Sequence, residues 1–163
     1  MTTATAERTS LGAWLADLEG AFEETARGAL GIDAVEVVGR ADHPQPGQHG
    51  SYLGLIGPAG AVQIGLAADE ATCQLLAKAL LAMGPDDPAL SPAEVADAVS
   101  EIVNIVAGAF KTRVRDRAPQ LTMGLPTFFH GGVQETERTA VRIAELRAGG
   151  MSVTLLLVHP RGS

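Results

Sequence analysis

"TAVRIAELRAGGMSVTLLLV", residues 139–158, decides the fold. Its second half, "MSVTLLLV", has the β-branched and aliphatic character of a strand, and a strand needs a hydrogen-bonding neighbour. The preceding "ETERTAVRIAELRA" could be drawn as a helix, but read as a strand it supplies that neighbour, with Gly149-Gly150 as the turn. The hairpin reading commits the chain to an antiparallel sheet.

Upstream the same grammar recurs. "SYLGLIGPAGAVQIGLA" (51–67) is two strand-like runs around Gly57-Pro58-Ala59-Gly60, a second hairpin. "LTMGLPTFFHGG" (121–132) is an irregular strand broken at Pro126, because proline cannot donate to a ladder. "DAVEVVG" (33–39) is a short strand, and "ADHPQPGQHG" (41–50) is a loop by its prolines and glycines.

Three helices complete the order. The first has Ser10 as N-cap and runs to about Leu30, with Leu11, Trp14, Leu15, Leu18, Phe22 and Ala26 on one face and Gly31 as its stop. The second covers 69–82, and "PDDPALSP" (85–92) links it to the third. "SPAE" (91–94) opens that one with an N-cap serine, a proline at the first helical position and a capping-box glutamate, and it is expected to reach about Asp116.

Each half of the chain is thus a long helix, a strand and a hairpin. The fold class is α+β: duplicated helix–strand–hairpin units forming an antiparallel sheet with long helices packed on one face, the other face being left for a second subunit. Residues 1–9 are expected as a disordered tail and 10–160 as a single domain.

Composition narrows the function. With 46% hydrophobic and 19% charged residues and mean hydropathy +0.16, the chain is too apolar for disorder. A net charge of -7 removes the field that phosphate-backbone binding needs, and "KTRVRDR" (111–117) suits the end of a helix better than nucleic acid. Cys73 is the single cysteine, so no disulfide forms within the chain, and it reads as a small apolar helix residue. No apolar leader and no run of about 18 apolar residues occurs, so a cytoplasmic protein without a membrane partner is expected. Trp14, Phe22, Phe110, Phe128 and Phe129 read as core. Asp42, His43 and His49 do not match a metal-site spacing, and His130 and His159 read as strand-end residues, so no metal or cofactor is expected in the chain.

The third helix carries the unusual residues. At about 100° per residue, Asp97, Glu101, Asn104, Gly108 and Lys111 fall within roughly 80° of one another, opposite Val95, Val99, Ile102, Val106 and Phe110. On a solvent face good helix formers are expected, yet Asn104 costs a few tenths of a kcal/mol and Gly108 about 1 kcal/mol against alanine. Gly108 leaves a bare patch that another chain can approach. Asn104 can both donate to and accept from one water, so it can aim that water at an electrophile, and Glu101 stands one turn away as a fixed acceptor for a cation. This is half an active centre, completed by a partner.

Asp97-x3-Glu101-x2-Asn104, with Gly108 and the later "GLPTFFHGG", resembles the signature of the CheC/CheX/FliY chemotaxis phosphatases, CheX most closely. The resemblance implies that this helix inserts into the active site of a phosphorylated CheY-like receiver. Glu101 would pair with the receiver's lysine, and Asn104 would position the water that hydrolyses the aspartyl phosphate. Asp97, Gly108 and Lys111 would border the contact. The Mg2+ would belong to the receiver, and a homodimer and a CheD-like protein are further implied partners. In the first helix Glu19 and Phe22 stand where a second Glu and Asn would be, which implies one site per chain. The rival readings are a non-catalytic binding or scaffold module of the same fold, which has no need of the Glu101–Asn104 pair, and a small-ligand sensor, for which the sequence has no cofactor motif.

Overall fold

The computed structural model describes the backbone of residues 3–58 and 60–161 and the side chains from Leu11 onward, Ala59 excepted. Helix α1 (Thr3–Ala29) leads into strands β1 (Val35–Ala41), β2 (His49–Gly57) and β3 (Gly60–Ala68). Helices α2 (Glu70–Leu80) and α3 (Pro92–Arg113) follow, then β4 (Thr122–Met123), β5 (Thr127–Phe129), β6 (Thr139–Ala148) and β7 (Met151–Pro160).

The hairpin reading of 139–158 holds. β6 and β7 pair from Thr139↔Pro160 to Ala148↔Met151, and Gly149 and Gly150 take φ of 55° and 84°, the left-handed pair that a tight hairpin turn needs. β2 and β3 pair from His49↔Ala68 to Gly57↔Gly60. Their glycines allow close approach: a Cβ on Gly50 would lie 1.8 Å from the Leu66 carbonyl oxygen, and one on Gly65 2.5 Å from that of Ser51.

The strand order is β1-β6-β7-β3-β2-β4, with β5 also on β2, all antiparallel. The two hairpins meet at β3–β7 in the centre. Each unit's lone strand pairs with the other unit's hairpin, β1 on β6 and β4/β5 on β2, so the order reads alike from both ends. Two copies of helix–strand–hairpin have interleaved.

The helices cover one face. Leu53, Leu55, Ile64, Leu66, Leu146, Leu155 and Leu157 of the sheet bury against Leu15, Leu18 and Phe22 of α1, Leu76 of α2, and Val99, Ile102 and Phe110 of α3. On the other face Ala67, Val141, Ile143, Leu156 and Val158 are buried beneath the chain's own Phe129 and Val133, so part of the face left for a second subunit is already covered.

Several boundaries move. α1 begins at Thr3, so residues 3–9 are helical rather than a tail and Ser10 lies inside the helix; Met1 and Thr2 lie outside the described residues. At its other end Gly31 is left-handed (φ 65°) and the Ile32 amide turns back to the Ala26 carbonyl at 2.8 Å. α2 stops at Leu80 because Lys78 Nζ gathers the Pro85 and Asp87 carbonyls at 3.1 and 2.7 Å, folding the linker over the helix end. α3 ends at Arg113, three residues short of Asp116. Among the described residues no helix is long and apolar enough to cross a membrane.

Candidate active site

The site is built on α3. Ser91 Oγ accepts from the Glu94 amide at 3.2 Å and a Glu94 carboxylate oxygen accepts from the Ser91 amide at 2.7 Å, the capping box that "SPAE" encodes. Val95, Ala98, Val99, Ile102, Val103, Val106, Ala107 and Phe110 are buried, which fixes the rotation of the helix. The opposite stripe faces solvent: Asp97 and Glu101 are exposed, and Asn104, Gly108 and Lys111 are half-buried. The five residues singled out in the sequence share one surface.

Among the described residues, the side chains of Asp97, Glu101, Asn104 and Lys111 take no hydrogen bond or ion pair. The Cβ atoms of Glu101 and Asn104, three residues apart on a helix, stand about 5–6 Å from each other. Asn104 is the only asparagine among 163 residues, and it occupies the middle of an exposed helix face, where no described residue satisfies its amide. At Gly108 an added Cβ would meet nothing within 4 Å, so no intramolecular packing explains the glycine.

The helix is anchored from below and from one side. Ser100, beside Glu101, has its Oγ 3.0 Å from Ser51 Oγ, and Ser51 donates to the Thr127 carbonyl at 3.1 Å, which ties α3 to β2 and β5. The basic run serves as a second anchor: Arg113 pairs with Glu24 at 3.5 Å and Arg117 with Asp17, both on α1. Gly20 of α1 makes room, since a Cβ there would sit 2.7 Å from Arg113 Nη1. Sequence reasoning missed these ties: serines in a strand and a helix give no pairing signal, and the partners of the arginines lie some hundred residues upstream.

Glu19 and Phe22, expected from the sequence to stand where a second Glu and Asn would be, lie instead on the buried face of α1 and so do not match the exposed pair on α3. Phe22 is wholly buried, and Glu19, 8% exposed, is held by Arg40 through two hydrogen bonds of 2.7 Å. α1 also contains no asparagine.

The remaining candidates are dispersed. His43 faces Glu135 at 3.4 Å, whereas His49 stacks edge-on against His130 with centroids 5.3 Å apart. Among the described residues no group of three or more His, Cys, Asp and Glu could hold a metal ion. Cys73 is buried in α2, and burial, then the charges of Asp69 and Glu70, push its thiol up to about 11, so it stays protonated near neutrality. Phe110 and Phe22 are core; Trp14, Phe128 and Phe129 are half-buried, with Trp14 tilted against Phe110 at 5.6 Å.

An exposed amide and carboxylate on a rigid helix can orient a water and meet a cation, but they offer no nucleophile and no enclosed pocket of their own. Solved structures of CheX, CheC-like and FliY proteins share this fold. The chemotaxis protein CheX of Desulfovibrio desulfuricans superposes with a TM-score of 0.76 at 14% identity, over 91% of this chain and 99% of that one. CheX of Vibrio vulnificus gives 0.71 at 16%, over 89% and 97%. The Borrelia burgdorferi CheX solved in a CheX–CheY–BeF3–Mg2+ complex gives 0.67 at 18%, over 91% and 98%. At these identities the likeness is one of fold. No curated protein matches the sequence. The profile of the family described as chemotaxis phosphatase CheX matches residues 51–144, more than half of the chain and all of α3, and the chain therefore belongs to the CheX family.

Proposed function

We propose that the chain is a phosphatase for the aspartyl phosphate of a CheY-like receiver domain. The observation that carries this reading is the unpartnered Glu101–Asn104 pair, one turn apart on the exposed face of a capped and anchored helix. The Borrelia relative of the same fold is seen with CheY, BeF3 and Mg2+, which supports a receiver as the partner here.

In this reading α3 docks against the phosphorylated receiver. The Glu101 carboxylate meets the receiver's lysine, and Asn104 accepts a hydrogen bond from one water and donates one to it, holding its oxygen in line with phosphorus. That oxygen attacks, the bond between phosphorus and the aspartyl oxygen breaks, and inorganic phosphate and the free carboxylate leave, the water's proton passing to solvent or phosphate. Mg2+ held by the receiver neutralises the phosphoryl oxygens. Asp97, Gly108 and Lys111 border the contact, Gly108 by leaving room for the partner's backbone. Alignment of this kind is worth about a hundredfold in rate and needs no change of protonation. A homodimer and a CheD-like partner complete the reading by family analogy.

The test is the decay of chemically phosphorylated receiver domains from the same genome with and without the protein. Faster decay with one of them supports the proposal. Binding without faster decay favours the non-catalytic scaffold.

A further inference from the structure

Leu125 is 90% exposed, against 60% for Ile56, the next most exposed large apolar side chain of the described residues. The chain holds it there. The Gly124 amide donates to the Gly54 carbonyl at 2.8 Å, Thr127 re-enters the ladder opposite Tyr52, and between them Pro126 cannot donate, so the ladder is interrupted at Leu125 and Pro126. A break at an edge strand can serve to prevent sheet-to-sheet aggregation, but that purpose calls for a charge or a proline, and a bare leucine works against it. Edge protection therefore explains Pro126 and leaves Leu125 unexplained.

Its position relative to α3 supplies the explanation. Ser100 sits over Ser51, and further along Phe110 packs on Trp14, which lines one cavity together with Leu55, Gly57 and Leu121. α3 and β2 thus run in the same sense. Asn104 lies about 6 Å beyond Ser100 along the helix, and Leu53 about 6.6 Å beyond Ser51 along the strand. Leu125, between the Gly124–Gly54 bond and the Thr127↔Tyr52 pair, stands opposite Leu53. It is level with Asn104, on the sheet edge that α3 flanks.

We infer that Leu125 is an apolar docking contact beside the α3 site, which packs into an apolar patch on the receiver surface next to its phosphorylated aspartate. The inference rests on the phosphatase reading. Glu101 and Asn104 supply polar alignment with little area, and an aliphatic side chain on the same front supplies desolvation that holds the two proteins together while the water is aligned. Its energy is spent on binding, equally before and during reaction, so it acts on KM and leaves kcat alone.

The experiment is steady-state dephosphorylation of the most responsive receiver by the wild type, Leu125→Ser and Leu125→Met, with melting temperatures recorded alongside. Losing a buried leucine contact should raise KM about tenfold in Leu125→Ser. The expected pattern adds an unchanged kcat and melting temperature, with Leu125→Met close to wild type. Unchanged KM in Leu125→Ser beside an active wild type overturns the docking role and leaves the phosphatase reading standing. A wild type that accelerates decay of none of the receivers overturns both.

Discussion

Glu19 and Arg40 are joined by two parallel hydrogen bonds, Nε to Oε1 and Nη2 to Oε2, both 2.7 Å long, which clamp the edge strand β1 to helix α1. Glu101, on the exposed face of α3, has no such partner among the described residues. One glutamate serves the fold, and the other is left open to solvent. Arg40→Ala leaves the nearly buried Glu19 carboxylate short of two donors. Because the Arg40 side chain is itself 58% exposed, solvent screening keeps the expected loss to about 1 kcal/mol. Thermal unfolding should show that loss, and receiver dephosphorylation at room temperature should be unchanged; a loss of activity would mean that the first unit contributes to the site.

Gly108 separates stability from function. An added methyl meets nothing within 4 Å, and replacing a helix-interior glycine by alanine stabilises by about 0.5–1 kcal/mol. Gly108→Ala should therefore melt later than the wild type and yet need more receiver to reach half-maximal rate, because the methyl stands where the partner approaches. A variant both more stable and fully active would make the glycine a neutral surface residue.

Asp69 caps α2, its carboxylate accepting the Thr72 amide at 2.7 Å, and that bond holds its carboxyl below the ordinary carboxylate value. A group whose pKa is lowered on folding stabilises fully above its unfolded pKa, about 3.9, and loses that contribution as the pH falls through the folded value. Melting temperatures of Asp69→Asn, which caps without titrating, should fall less steeply than those of the wild type below about pH 4. Equal slopes would remove Asp69 from the acid response.

Much of this molecule was legible because local chemistry and global fold agree. Ser91-Pro92 with Glu94 marked the start of α3, Gly149-Gly150 marked the β6–β7 turn, and the apolar spacing of Val95 to Phe110 fixed which side of α3 faces water. The start of α1 was misread for a physical reason: Ser10 has Ala13, not Glu or Gln, three residues on, and the preceding "TATAERT" contains no glycine or proline to stop a helix. The interleaving of β1 with β6 and of β4/β5 with β2 is carried by pairings between distant residues, for which one sequence has no periodic signal. The Arg40, Ser51 and Arg113 ties are invisible for the same reason, since each joins groups whose nearness is a product of the fold.

Asn104→Ala tests the central claim most directly. The side chain has no partner among the described residues, so the variant should fold and melt like the wild type or slightly higher, alanine being the better helix former. With phosphorylated receiver at saturation, the wild type should shorten its lifetime and the variant should leave it near its intrinsic decay, a loss of about a hundredfold in stimulated rate, while still binding the receiver. Full activity in the well-folded variant would contradict the assignment of the attacking water to Asn104.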